Sequence, residues 1–289
     1  MQKLPKHLTR IGGELWLTDH ERGLMTSVRI VDVLYESQSA YQHVMVAETE
    51  PFGRALILDG IIQTTVREGH IYNEMIAHVP LSVHPRAERV LIIGGGDLGA
   101  AREVLKYDFV RRVDLVEIDE IVVRASRMYL PEIAGESDDP RLHLHFQDGA
   151  EFVRSVREPY DIIIVDAADP VGPATVLFES PFYEALAQAL KPDGVMSAQT
   201  DSPFLHPETA RSTIGALRRL FPVVKPYLAV VPSYPSGIWL FTLASKRYDG
   251  LRPLDPGMRT RYATTDVMRA AFAVPPDIAA AIEPPPGNR

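Results

Sequence analysis

Val90-Leu91-Ile92-Ile93-Gly94-Gly95-Gly96-Asp97-Leu98-Gly99 is the stretch on which the fold turns. Four consecutive aliphatic residues cut off by three glycines are too short for a helix and read as a strand buried on both faces. Apolar residues at helical spacing over 100–107 then read as a helix that starts where the glycines end. Strand, glycine loop and helix in that order open a doubly wound α/β sheet, in which ligands sit outside the carboxyl ends of the strands. Further along, the runs 113–116, 142–146 and 162–165 repeat the buried-strand signature, with helical patterns over 120–129 and 150–156 between them. After 195–198 and a helix over 207–220, the runs 223–231 and 238–245 flank Pro232-Ser233-Tyr234-Pro235-Ser236-Gly237 and read as an antiparallel pair. Seven strands are expected, the last pair antiparallel.

Upstream the texture differs. Residues 27–34, 41–47 and 54–58 are short runs rich in β-branched residues, and Asp59-Gly60 between Leu58 and Ile61 is a strong hairpin signal because both positions tolerate positive φ. The expected division is a small antiparallel β domain over 1–66 and an α/β domain over 67–289, whose tail is rich in Pro and Gly from Arg247 onward. Across 289 residues, 30 Lys and Arg stand against 38 Asp and Glu, a formal charge of −8 that argues against nucleic acid or an anionic membrane as partner. Zero cysteines exclude disulfides, thiolate metal sites and cysteine nucleophiles. With no apolar run of about 20 residues and no signal-peptide centre near the start, a soluble cytoplasmic protein is expected.

Gly94, Gly96 and Gly99 formally satisfy the GxGxxG pattern, with Glu117 about 20 residues on, so a nicotinamide dehydrogenase has to be weighed. Asp97 argues against it, because a carboxylate inside a loop that cradles a pyrophosphate sets like charges together. A nucleoside with a cationic arm suits the loop better. S-adenosylmethionine and its decarboxylated form both qualify, with the ribose on Glu117 and the adenine near Asp148-Gly149, and the decarboxylated form lacks the one anionic group that Asp97 would repel. The bland alternative for Asp97 is a helix N-cap. Asp166-Ala167-Ala168-Asp169-Pro170 follows the buried run 162–165, so both acids are expected in the same crevice, where they suit a polyamine. For Asp169 the bland alternative is a capped Asp-Pro turn. His143 and His145 share a strand face, but no supporting ligand stands at a metal-site spacing, so no metal is expected.

Leu58-Asp59-Gly60 with Gln63, Tyr72 with Glu74-Met75 and His78, the Gly94 to Asp97 loop, Val116-Glu117-Ile118-Asp119, Asp148-Gly149-Ala150, the stretch from Asp166 to Pro173, Ser202-Pro203-Phe204 and Tyr234-Pro235-Ser236-Gly237 with Trp239 share an order and spacing. From about Trp16 to Phe272 this set resembles the spermidine synthase family of aminopropyltransferases. The resemblance implies a methyltransferase-like Rossmann sheet and an N-terminal β domain that helps assemble a homodimer or homotetramer. It also implies decarboxylated S-adenosylmethionine as co-substrate, with no permanently bound cofactor, and a polyamine such as putrescine as acceptor. Carried over residue by residue, it places Gln42, Gln63, Asp97, Glu117, Asp148 and Gly149 around the donor, Asp97 on its ammonium and Glu117 on its ribose. Asp166 would deprotonate or orient the attacking amine, with Tyr72 and Tyr234 orienting it. Tyr72, Asn73, Asp169 and Tyr234 would place the acceptor, and Trp239 would pack its methylene chain.

The chain departs from the family's pattern at Leu98, where a glycine is usual, at Glu68-Gly69 in place of Asp-Glu, at Asn73 in place of His or Gln, and at Thr175, often a Glu. Leu98 is expected to add bulk beside the donor loop, and the other changes to reshape the acceptor pocket. Two alternatives stay open: a methyltransferase acting on a polyamine, and a binding protein that has lost catalysis.

Overall fold

The computed structural model describes residues 6–135, 138–167 and 180–283. The first sheet is antiparallel throughout and runs β1 (Leu8–Ile11), β2 (Glu14–Glu21), β3 (Leu24–Gln38), β4 (His43–Thr49), β5 (Gly53–Leu58) and β6 (Ile61–Thr65) in sequence order. Asp59 and Gly60 take φ of 47° and 89°, the two positive values that a tight hairpin turn demands. β1 and β2 have no counterpart in the sequence reading, because β2 mixes Trp16, Thr18, Asp19 and His20 without clean alternation. Register shifts near Ile30 and Val33 let the long β3 pair first with β2 and then with β4.

Beyond the first sheet come α1 (Gly69–Val83), β7 (Arg89–Gly94), α2 (Gly99–Leu105), β8 (Arg112–Glu117), α3 (Glu120–Tyr129), α4 (Pro131–Ala134), β9 (Leu142–Phe146), α5 (Gly149–Arg154), β10 (Tyr160–Asp166), α6 (Ser180–Ala189), β11 (Leu190–Gln199), α7 (Pro207–Leu220), β12 (Val223–Val230), β13 (Ile238–Ser245), α8 (Thr265–Ala271) and α9 (Pro276–Ile282). The seven strands lie in the order β12-β13-β11-β10-β7-β8-β9, and only β13 runs against its neighbours. From β7 the chain winds outward through β8 and β9, then returns to β10 on the other side of β7. That reversal makes the carboxyl ends of β7 and β10 a topological switch point, where a crevice opens for a ligand. Gly94 pairs with Asp166 there.

Because side chains alternate across a strand, Val90 and Ile92 join the core under α1 and α2, while Leu91 and Ile93 join the core under α5, α6 and α7. α1 is buried along most of its length, which explains why amphipathic periodicity did not announce it. Its Glu74 takes three backbone N–H donors, from Arg261, Tyr262 and Ala263, each at 2.8 Å. Val44, Val46 and Leu56 of the first sheet pack on Val122, Ala125, Leu130 and Ile133, so that sheet lies against α3 and α4 beside the crevice.

Leu98 corrects one expectation. Its side chain is 1 % exposed and belongs to the core under α1 and α2, so its bulk turns away from the crevice, while its backbone sits at φ 67°, ψ 3°. The left-handed backbone costs a non-glycine residue about 1–2 kcal/mol, which burial of a leucine outweighs. Leu98→Ala is expected to lose about 2–5 kcal/mol of stability, and Leu98→Gly about 1 kcal/mol less than the alanine variant because glycine relieves the backbone. Denaturant titration of the three proteins checks this order.

Candidate functional site

The three glycines at the end of β7 are shaped around Asp166 and Glu117. A Cβ on Gly94 would stand 2.2 Å from the Asp166 carbonyl oxygen, one on Gly95 2.9 Å from Asp166 Oδ2, and one on Gly96 2.8 Å from Glu117 Oε2. The Gly95 N–H donates to the Asp166 carbonyl at 2.9 Å, which clamps the loop to the end of β10. Gly94 and Gly95 also hold φ of 80° and 68°, open only to glycine at low cost. The loop therefore faces acids where a dinucleotide fold would face a pyrophosphate.

Three carboxyls meet over this loop. Asp166 rises to about 7, through burial first and the charge of Asp97 second, with Glu117 adding to it. Glu117 rises to about 7 through burial, although Asp119 N–H donates to its Oε1 at 2.9 Å. Asp97 is raised by burial too, and its Oδ1 accepts from the Gly99 N–H at 2.8 Å. The Tyr72 hydroxyl donates to Asp166 Oδ1 at 2.7 Å, and burial followed by the Asp166 charge holds that phenol well above its ordinary value, so it stays a donor. Tyr72 is fixed edge-on against Phe241 and Tyr234, and Tyr234 in turn packs edge-on against Trp239 with ring centres 4.7 Å apart. The Tyr234 hydroxyl donates to the Gln63 carbonyl at 2.7 Å and so ties the 232–237 loop to β6.

The first sheet supplies the rest of the cleft. Asp19, His20 and Glu21 of β2 line it together with Leu58, Ile62 and Gln63, and Gln199 comes from the end of β11. Burial, with Glu21 second, raises Asp19. Behind Gln199, whose Oε1 accepts from the Asp201 N–H, Asp201 is pushed up to about 6 by burial and takes a positive φ of 71°. The tip of the β2–β3 hairpin is pinned to the start of α7 by Glu21 with His206 and Arg22 with Glu208. Asp19, Glu21, Asp97, Glu117 and Asp166 thus share one cleft, and none of the described lining residues is a Lys or Arg. A site so charged recruits a cation and repels an anion.

Comparison with known proteins agrees with this geometry. Residues 69–251 match the spermine/spermidine synthase domain, and residues 15–66 match the spermidine synthase tetramerisation domain. The chain belongs to the spermine/spermidine synthase family. Among its relatives, the polyamine aminopropyltransferase of Moorella thermoacetica is 45 % identical over 276 residues, covering 94 % of this chain and 97 % of that one. The polyamine aminopropyltransferase of Bacillus subtilis is 42 % identical over 266 residues, covering 91 % and 96 %. A crystal structure of spermidine synthase in complex with the transition state analogue AdoDATO superposes with a TM-score of 0.89 at 36 % identity, covering 97 % of this chain and 98 % of that one. Spermidine synthase from Thermotoga maritima gives 0.85, also at 36 % identity, covering 92 % and 94 %.

Of the residues that the family resemblance singles out, Gln63, Tyr72, Asp97, Glu117, Asp166, Tyr234 and Trp239 line the cleft together. Gln42, Asn73, Asp148 and Gly149 do not line it. Gln42 Nε2 donates to Asp119 Oδ2 at 3.0 Å, beside the Glu117 loop. Asp148 Oδ1 accepts from the Glu151 N–H at 2.9 Å and caps α5, and Gly149 is pressed on Ile93, whose Cγ2 would lie 2.6 Å from an added Cβ. Asn73 lies buried behind Gly99. Asp169 and Thr175 fall outside the described residues. His145 Nε2 lies 2.8 Å from Asp114 Oδ1 within a network that also includes Arg112 and Tyr160. Asp19, Glu21, Gln199 and Asp201 escaped the sequence reading. Trp16 to Glu21 carries no clean alternation that would have brought in the first two.

Crowded carboxyls have a thermodynamic signature. A folded-state pKa of about 7 for Asp166, against about 4 unfolded, means that its contribution to stability is full below the unfolded value and is lost as pH rises through 7. Asp166→Asn is therefore expected to be more stable than the wild type at about pH 8, with the gap closing as pH falls through 7 toward 5. Melting temperatures of both proteins across that range, without ligand, measure it.

Proposed function

We propose that this chain transfers the aminopropyl group of decarboxylated S-adenosylmethionine to a diamine such as putrescine, giving spermidine and methylthioadenosine. The observation that carries the reading is the cleft of five carboxylates, with no Lys or Arg among its described lining residues, centred on the Tyr72–Asp166 hydrogen bond. Both substrates are cations, the donor through its sulfonium and its ammonium and the acceptor through its amines. In this reading Asp97 meets the donor ammonium and Glu117 the ribose hydroxyls, Gln63 lines the nucleoside site, and Gln42, Asp148 and Gly149 support it from beside the cleft. Tyr72, Asp169 and Tyr234 place the acceptor, Asn73 supports the site from its buried position behind Gly99, and Trp239 lies along the methylenes. The polyamine names of the relatives support the same assignment.

The reaction is an in-line displacement. An amine nitrogen attacks the carbon beside the sulfonium, the carbon–sulfur bond breaks with its electrons on sulfur, and the amine gives up a proton. An alkyl ammonium with a pKa near 10.4 is almost wholly protonated at neutral pH, so a free amine costs about 4 to 5 kcal/mol there. An ordinary carboxylate near 4 is a poor acceptor for that proton, whereas one raised to about 7 by its surroundings narrows the gap. Asp166 is the base, and the Tyr72 hydroxyl fixes which oxygen faces the amine. Asp166→Asn should lower kcat at least about 100-fold with little change in donor affinity, and mass spectrometry of the product should show a gain of one aminopropyl unit. A product that gains one methyl group instead would identify a methyltransferase.

Asp97 sets donor choice, since it attracts an ammonium and repels a carboxylate. Calorimetry should give tighter binding of decarboxylated S-adenosylmethionine than of S-adenosylmethionine, and Asp97→Asn should narrow the difference. We also propose the division into an N-terminal domain over 1–66 and a catalytic domain over 67–289, a homodimer or homotetramer assembled through the first sheet, and a cytoplasmic location. The exposed Ile11, Leu24, Met25 and Val31 on β1 to β3 support that assembly face. Among the described residues no helix is long and apolar enough to cross a membrane.

A further inference from the structure

Asp97 is gripped by the Gly99 N–H, Asn73 packs against Gly99 and Thr64 against Gly69 one helical turn before Asn73, and both side chains act on the Asp97 carboxylate from nearby. Thr64 comes from β6 and Asn73 from α1. Thr64 Oγ1 and both polar atoms of the Asn73 amide are sealed from solvent, and none of the three closes a hydrogen bond of normal geometry. A buried polar group in that condition costs about 1–3 kcal/mol, so its retention asks for a use.

Two glycines are cut to fit these side chains. A Cβ on Gly69 would lie 2.2 Å from Thr64 Oγ1, and one on Gly99 would lie 2.0 Å from Asn73 Nδ2. Neither glycine has a positive φ, and each begins a helix in which alanine is the better helix former. Space, not backbone freedom, is what they provide. We propose that Thr64 is a positioning residue for Asp97: its hydroxyl, given room by Gly69, donates to the Asp97 carboxylate and sets the oxygen that receives the ammonium of the donor. Thr64 and Asn73 both stand close enough to the Asp97 carboxylate for a donor on either to counter the upward push of burial. The hydroxyl reaches a catalytic-sheet carboxylate from the first sheet, so the N-terminal domain tunes the donor site as well as covering it.

The inference rests on the donor reading above, and the test separates the two. Calorimetry compares decarboxylated S-adenosylmethionine with methylthioadenosine, which has the same nucleoside but no ammonium. Thr64→Val is expected to weaken the first about tenfold and leave the second within about twofold, whereas Thr64→Ser keeps both. Gly69→Ala, which drives a methyl into the hydroxyl, should produce the same selective loss and add little to Thr64→Ala in the double variant. A Thr64→Val protein that binds both ligands like the wild type, or weakens for both alike, overturns the role of Thr64. A wild type that binds the two nucleosides equally overturns the donor reading and this inference with it. If Thr64→Val does not fold, the Gly69→Ala and Thr64→Ser pair decides by the same ratio.

Discussion

Carboxylates that repel one another are held together at the switch point of the sheet, and the site depends on keeping them there. Asp97 on the glycine loop meets Glu117 from the end of β8 and Asp166 from the end of β10, and the loop's glycines leave the room that these neighbours occupy. Burial makes each charge costly, and proximity makes each neighbour more so. The fold meets that cost with backbone donors, the Gly99 N–H on Asp97 and the Asp119 N–H on Glu117, and with the Tyr72 hydroxyl on Asp166. What remains unneutralised is the attraction that a polycationic substrate answers.

Much of the catalytic sheet was legible from the chain, because buried parallel strands announce themselves as aliphatic runs such as 90–93 and 162–165. α3, α7 and β13 lie over the residues that periodicity marked. β1, β2 and α1 were not legible. β2 mixes Trp16, Asp19 and His20 across partly buried positions, and α1 is buried on nearly every side with Asn73, Glu74 and His78 among its apolar residues, so neither period stands out.

The site divides along the same line. Asp97, Glu117 and Asp166 follow from the rule that strand ends face the ligand, since each closes or follows a recognisable strand. Asp19 and Glu21 come from an unrecognised strand of another sheet and enter the cleft through tertiary packing alone. Leu98 shows the converse limit. A bulky residue within a ligand loop reads as an obstruction, yet a left-handed backbone turns it into the core, a rotation that no spacing rule encodes.

Glu74 shares a turn of α1 with Tyr72, and its three hydrogen bonds reach across to the backbone of residues 261–263. The helix that aims the phenol is thereby buttoned to a stretch of chain lying beyond the last strand. A chain cut back past Ala263 would retain every strand and every acid of the cleft, yet leave a buried carboxylate facing no donor on the helix that sets the phenol's angle. The segment after β13 is thus a structural part of the catalytic unit, and a boundary drawn at the end of the sheet would cut through it.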